Sequence, residues 1–117
     1  MKIFLDTSSL FKLYHKEADT REFEQDLSTL TITGIFLSEI SKVEFTSAIW
    51  KKVRATEITT LEAQITLALF ETDFEKYNFV TTDSIILEQA RLLASKYGIK
   101  GLRTLDSIQL STCVSLV

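Results

Sequence analysis

Apolar and polar positions along this chain switch between two periods, and the switches outline its elements. Residues 2–6 open on an apolar run without alternation, Ile3-Phe4-Leu5, which reads as a short buried strand of the kind that parallel sheets use. A helix is predicted over 7–15, starting at Thr7 or Ser8. Asp19-Thr20-Arg21-Glu22 fits a capping box and predicts a second helix over 20–29. Residues 31–37 form a second strand, and from Ser38 or Ser41 the period turns helical through Arg54. Thr59-Thr60-Leu61-Glu62 is a further capping box, opening a helix on which Leu61, Ile65, Ala68, Leu69 and Thr72 form one face. A short β-branched strand is predicted over 78–81. Asp83 stands where an N-cap belongs, before a helix carrying Ile86, Ala90, Leu93 and Tyr97 on one face, with Gly98 as its C-cap. A last helix runs from near Thr104 to Val117.

Strands alternating with helices give an α/β fold with a parallel sheet flanked by helices, and in such sheets sites lie beyond the carboxyl ends of the strands. Asp6 stands at that end of the first strand. The chain has 117 residues, enough for a single domain with one core. Three glycines and no prolines leave the turns to Ser, Thr, Asp and Asn. Thirteen basic residues against sixteen acidic ones give a net charge of -3. That is not the basic excess usual in nucleic-acid binders, although a cluster of acidic metal ligands would itself lower the balance. The lone Cys113 forbids an internal disulfide and suits a reducing compartment. With no signal-peptide pattern and no apolar run near ~18 residues, a cytoplasmic protein without a membrane span is expected. The end, Ser-Thr-Cys-Val-Ser-Leu-Val, lacks a polar tail, and a C-terminal truncation is expected.

A carboxylate ending a buried strand is costly unless something pairs with it. Asp6 can cap the following helix, act as a nucleophile or bind a metal. Glu44 fits a capping box with Ser41, and Asp106 falls in the first turn of the last helix, where the helix dipole favours an anion in any case. Taken together, the three acids sit at a strand end and two helix starts, positions that a parallel sheet can gather at its carboxyl edge. Like charges gathered there require a cation, and all-oxygen ligands suit Mg²⁺ or Mn²⁺ rather than zinc, for which His15 and Cys113 have no partner His or Cys. Such a site suits phosphodiester hydrolysis.

Three blocks carry a resemblance. Ile-Phe-Leu-Asp6-Thr-Ser-Ser-Leu-Phe-Lys-Leu-Tyr resembles the opening of a PIN domain, specifically that of the VapC toxin ribonucleases of VapBC toxin–antitoxin pairs. Leu-Ser-Glu-Ile-Ser-Lys-Val-Glu44-Phe-Thr-Ser-Ala-Ile-Trp is similar to the family's glutamate-bearing helix. Leu102-Arg-Thr-Leu-Asp106-Ser-Ile-Gln-Leu-Ser is similar to its LxxxDxxxL segment, with Ser107 and Ser111 where alanines are common. The resemblance spans nearly the whole chain. It implies a single PIN-like three-layer domain over 1–117, lacking the family's C-terminal strand and helix, and a metal-dependent endoribonuclease. By it, Asp6 and Asp106 bind Mg²⁺ or Mn²⁺, Glu44 completes the acidic site and orients the attacking water, and Ser8 supports Asp6. The implied partners are RNA, a VapB-like antitoxin and a second copy of the chain.

The family's fourth acid, in an FVTxD-like strand end, falls beyond Val117. Phe79-Val-Thr-Thr-Asp83 imitates that motif but precedes the helix leading to Asp106, so Asp83 is read as an N-cap. The missing strand would leave the first strand as a bare edge, for which dimerisation, weak stability or local rearrangement is expected. The missing acid also admits a catalytically impaired protein that only binds an antitoxin or a second protomer. A haloacid-dehalogenase-like phosphotransferase would want an aspartate two residues after Asp6, where Ser8 stands. Lys12, Lys42, Lys51, Lys52 and Arg54 can line an RNA path, but a solvated helix face accounts for most of them, and Trp50 reads as core or dimer surface.

Overall fold

The computed structural model describes residues 1–15 and 20–117. In chain order the elements are β1 (Lys2–Phe4), α1 (Thr7–Lys12), α2 (Thr20–Ser28), β2 (Gly34–Ser38), α3 (Ser41–Arg54), α4 (Thr60–Thr72), a 3-10 turn (Asp73–Lys76), β3 (Tyr77–Val80), α5 (Ser84–Tyr97), a second 3-10 turn (Gly98–Lys100) and α6 (Thr104–Ser115). The capping box expected at Asp19 lies outside the described residues. The fold is α/β, with a three-stranded parallel sheet in the order β1-β2-β3 flanked by helices. The chain divides into two compact units, Met1–Phe79 and Val80–Val117.

In the first unit β1 and β2 run parallel, with Lys2, Ile3 and Phe4 opposite Gly34, Ile35 and Phe36. Parallel neighbours need a crossover, which here contains α1 and α2. Leu5, Leu10, Phe11, Leu37, Phe45, Ile49, Ala63 and Phe70 form a continuous buried cluster. Its centre is aromatic: Phe45 lies 4.3 Å from Phe70 and 5.2 Å from Tyr14 between ring centroids, in tilted and edge-on arrangements that suit ring quadrupoles. Trp50 packs half-buried against this cluster. At its rim the Tyr14 hydroxyl donates to Asp73 Oδ2 at 2.7 Å and lies 2.5 Å from the Tyr77 hydroxyl. Tyr14 has one proton and gives it to Asp73, so Tyr77 is the donor of that second bond.

Helix α4 corrects an expectation. Its cap forms as predicted, with Thr59 Oγ1 accepting from Glu62 N–H and Glu62 Oε1 accepting from Thr59 N–H, both at 3.1 Å. The face it buries, however, is that of Ala63 and Phe70. Leu61, Ile65 and Leu69, the face chosen from periodicity, are 65%, 54% and 54% exposed. The helix is apolar on more than one side, so periodicity alone could not say which side meets the core.

In the second unit α5 and α6 pack as a helix pair. Asp83 caps α5 by accepting from Ile86 N–H at 2.9 Å, as expected. Ile86 and Ala90 are buried, and on α6 the buried residues are Ser107, Gln109, Ser111 and Thr112. Small hydroxyl side chains allow close approach, and Ser111 Oγ gives its proton to Ile86 O on α5 at 2.8 Å. Gly98 occupies the C-cap position in right-handed helical conformation, and the left-handed turn falls three residues later at Gly101, with φ 98°. A glycine is needed there because an L side chain would be strained.

Candidate acidic site

The strand-end aspartate caps a helix. Asp6 is extended (φ -74°, ψ 174°), and its Oδ1 accepts Ser9 N–H at 2.8 Å and the Ser8 hydroxyl at 3.2 Å. Both bonds fall on Oδ1, the side chain is exposed, and Oδ2 takes neither of them. Capping and metal binding are therefore compatible at this residue, because a carboxylate has about four acceptor sites. Ser8, expected to support Asp6, does touch it.

Glu44 is held differently from the expected capping box. The N-cap of α3 is Ile40, which makes no side-chain capping bond, and Ser41 is fully buried. The Glu44 carboxylate instead accepts the Thr7 hydroxyl at 2.8 Å, and Thr7 Oγ1 also lies 3.2 Å from Ser41 Oγ. Thr7 is covalently next to Asp6, so one residue ties the first acid's backbone to the second acid's side chain across thirty-seven positions of sequence. Sequence reasoning missed Thr7. Its signal was the doubled hydroxyl in Asp6-Thr7-Ser8, of which only Ser8 was assigned a role.

In the second unit Asp106 lies in the first turn of α6, exposed, and its Oδ2 accepts Arg103 N–H at 3.3 Å. Like Asp6, it serves a helix start and keeps acceptor capacity. Among the described residues, no three His, Cys, Asp or Glu side chains are grouped as a ready-made metal cage. Mg²⁺ does not require one: it keeps several waters and is commonly bound by one or two carboxylates together with substrate phosphates. Asp6 and Glu44 lie on one unit and offer hard oxygen donors, the donor type that Mg²⁺ takes.

The other candidates have structural roles. His15 stands edge-on to Phe11, with centroids 5.2 Å apart. Cys113 is half-buried and carries a free thiol. Lys42 places its ammonium 4.8 and 4.3 Å from the Phe74 and Phe79 centroids, Lys12 lies over Phe23, and Lys52 pairs with Glu57 at 2.7 Å. Among the described residues no helix is long and apolar enough to cross a membrane.

Comparison with protein families matches residues 3–116 to the PIN domain. A search of curated proteins returned no match to the chain.

Proposed function

Because this chain belongs to the PIN domain family, whose members are generally nucleases, we propose that it is a Mg²⁺- or Mn²⁺-dependent endoribonuclease, the VapC-like toxin of a toxin–antitoxin pair. The observation that carries the reading is the arrangement at the end of β1 and the start of α3, where Ser8 and Ser9 hold the Asp6 carboxylate and Thr7, the residue after Asp6, holds that of Glu44. Asp6, Asp106 and Glu44 are the residues this reading assigns to the ion. A bound Mg²⁺ or Mn²⁺ supplies Lewis acidity toward the phosphodiester and lowers the pKa of a bound water.

The protein's own share is orientation and charge. The Thr7 hydroxyl fixes one Glu44 oxygen, and in this reading Glu44 helps to orient the attacking water. Ser8 and Ser9 N–H hold Asp6 so that its remaining oxygen keeps one direction. Asp106 carries the third negative charge of the reading. RNA is the substrate, a VapB-like antitoxin that covers the acidic site is the natural inhibitor, and the cytoplasm is the working compartment.

The test is cleavage of a mixed RNA pool with Mg²⁺ or Mn²⁺, beside an Asp6→Asn control. Metal-dependent cutting that the control loses supports the nuclease. A folded sample in which neither protein cuts would move the reading to a binding module that engages an antitoxin without cleaving.

A further inference from the structure

Thr7 Oγ1 meets two partners, and the proton count fixes the direction of both bonds. It lies 2.8 Å from Glu44 Oε1 and 3.2 Å from Ser41 Oγ. An ionised carboxylate only accepts, so the single Thr7 proton goes to Glu44. Ser41 is then the donor of the other bond. The result is a directed chain of hydroxyls, from Ser41 to Thr7 to Glu44, that ends on the acid. Each bond polarises the next, since a hydroxyl that accepts a proton donates its own more strongly.

Ser41 and Glu44 stand three residues apart on α3, so they share a face, and both reach Thr7 on α1. Ser41 is completely buried, while Thr7 and Glu44 are half-buried. The first member of the chain is therefore its most protected one. Thr7 needs such an anchor. Its side chain has three staggered positions, and as the first residue of α1 it has no earlier helical turn to choose among them. A donor on one side of Oγ1 and an acceptor on the other select the position that satisfies both. Ser41 is not the cap of α3, a place that falls to Ile40.

We propose that Ser41 is a positioning residue of the acidic site: its buried hydroxyl holds Thr7 in the rotamer from which Thr7 aims the Glu44 carboxylate. Ser41 acts only through Thr7 and contacts neither substrate nor ion. Its bearing on cleavage rests on the nuclease reading, whereas its hold on Thr7 does not.

The hold is read in the metal-free protein from the three-bond NMR couplings of the Thr7 methyl carbon to its own backbone N and C′, which report the rotamer. They should sit at single-rotamer values in the parent chain and average toward intermediate values in Ser41→Ala. Ser41→Cys, which keeps a weaker donor, should fall between, and it carries the same comparison if Ser41→Ala does not fold by circular dichroism. Ser38→Ala removes a hydroxyl just as buried, one that accepts Ile40 N–H at 3.3 Å, and should leave the couplings unchanged. In calorimetric titrations Ser41→Ala should bind Mn²⁺ about tenfold more weakly. Ser41→Ala combined with Thr7→Val should bind it as Thr7→Val alone does, because the first residue works through the second. Couplings that stay fixed in Ser41→Ala, couplings that move as much in Ser38→Ala, or affinity losses that multiply in the double variant would overturn the proposal. A parent chain that cuts no RNA overturns the nuclease reading instead, and the couplings still decide on Ser41.

Discussion

The Thr7 hydroxyl donates to Glu44 Oε1 at 2.8 Å, joining the residue after the strand-end aspartate to the glutamate of α3. A threonine at the first position of a helix has little to offer that helix, whose cap is already Asp6. Its partner is tertiary, and the bond fixes which way the glutamate faces.

Removing that hydroxyl while keeping the shape, by Thr7→Val, should lower metal-dependent cleavage and Mn²⁺ affinity by about 10–100-fold, the usual cost of losing a residue that orients a ligand. Thr7→Ser should restore most of both. Calorimetric Mn²⁺ titration beside the cleavage rate checks it, and equal loss in the Ser and Val variants would count against a hydroxyl role.

Asp6 serves two functions that different substitutions separate. Asn caps helices as well as Asp does, so Asp6→Asn should leave thermal stability nearly unchanged while abolishing metal-dependent cutting. Asp6→Ala should lose both, with about 1 kcal/mol of stability gone with the cap. Melting curves of the two variants, run with the cleavage assay, read the split directly.

The Tyr14–Tyr77–Asp73 group sets a pH window. Burial pushes the Tyr14 and Tyr77 hydroxyls above their ordinary 10.0, while the Tyr14 hydrogen bond, helped by Lys76, holds Asp73 below its ordinary 3.8. In the unfolded chain the tyrosines ionise first as pH rises, so their contribution is complete below about pH 10 and is lost above it. Asp73 works in the other direction, contributing above about pH 4 and losing its contribution as pH falls through its lowered folded value. Tyr14→Phe should flatten the alkaline limb of a stability-against-pH curve. An unchanged limb would refute this assignment.

Phe45 is completely buried and touches Phe11, Tyr14 and Phe70. Phe45→Ala should cost about 3–5 kcal/mol, through lost transfer energy and the cavity left behind. Denaturant unfolding measures it, and Phe45→Leu should recover a large part.

Much of the fold was legible because its signals are local. Asp83 and Thr59 each combine a capping side chain with a downstream helical period, and both caps form where the residues place them. β1 and β2 announce themselves by apolar runs, although β2 begins at Gly34, after the predicted 31. Tertiary choices were not legible. Periodicity on α4 found an apolar face but could not weigh it against the face of Ala63 and Phe70, which is the one buried. Ser41 and Glu44 have capping-box spacing, yet burial of Ser41 and the hydroxyl of Thr7, distant in sequence, decided their partners. The acids drew notice in the sequence because each sits where an element ends or begins, and Asp6 and Asp106 do bond at helix starts. The hydrogen-bond partner that orients Glu44 drew none.

The parallel pairing of β1 with β2 also constrains the order of events during synthesis. Lys2 leaves the ribosome thirty-two residues ahead of its partner Gly34, and antiparallel hairpin closure is not available to it. Asp6 can cap α1 almost at once, since Ser9 is three residues away, but Glu44 must emerge before Thr7 has its acceptor. The nascent chain therefore carries an early, apolar, unpaired strand until α3 has emerged, and at a typical rate of about 5–20 residues per second that wait lasts a few seconds. A chaperone that shields short extended segments would have its opportunity in that interval, before the sheet begins to close.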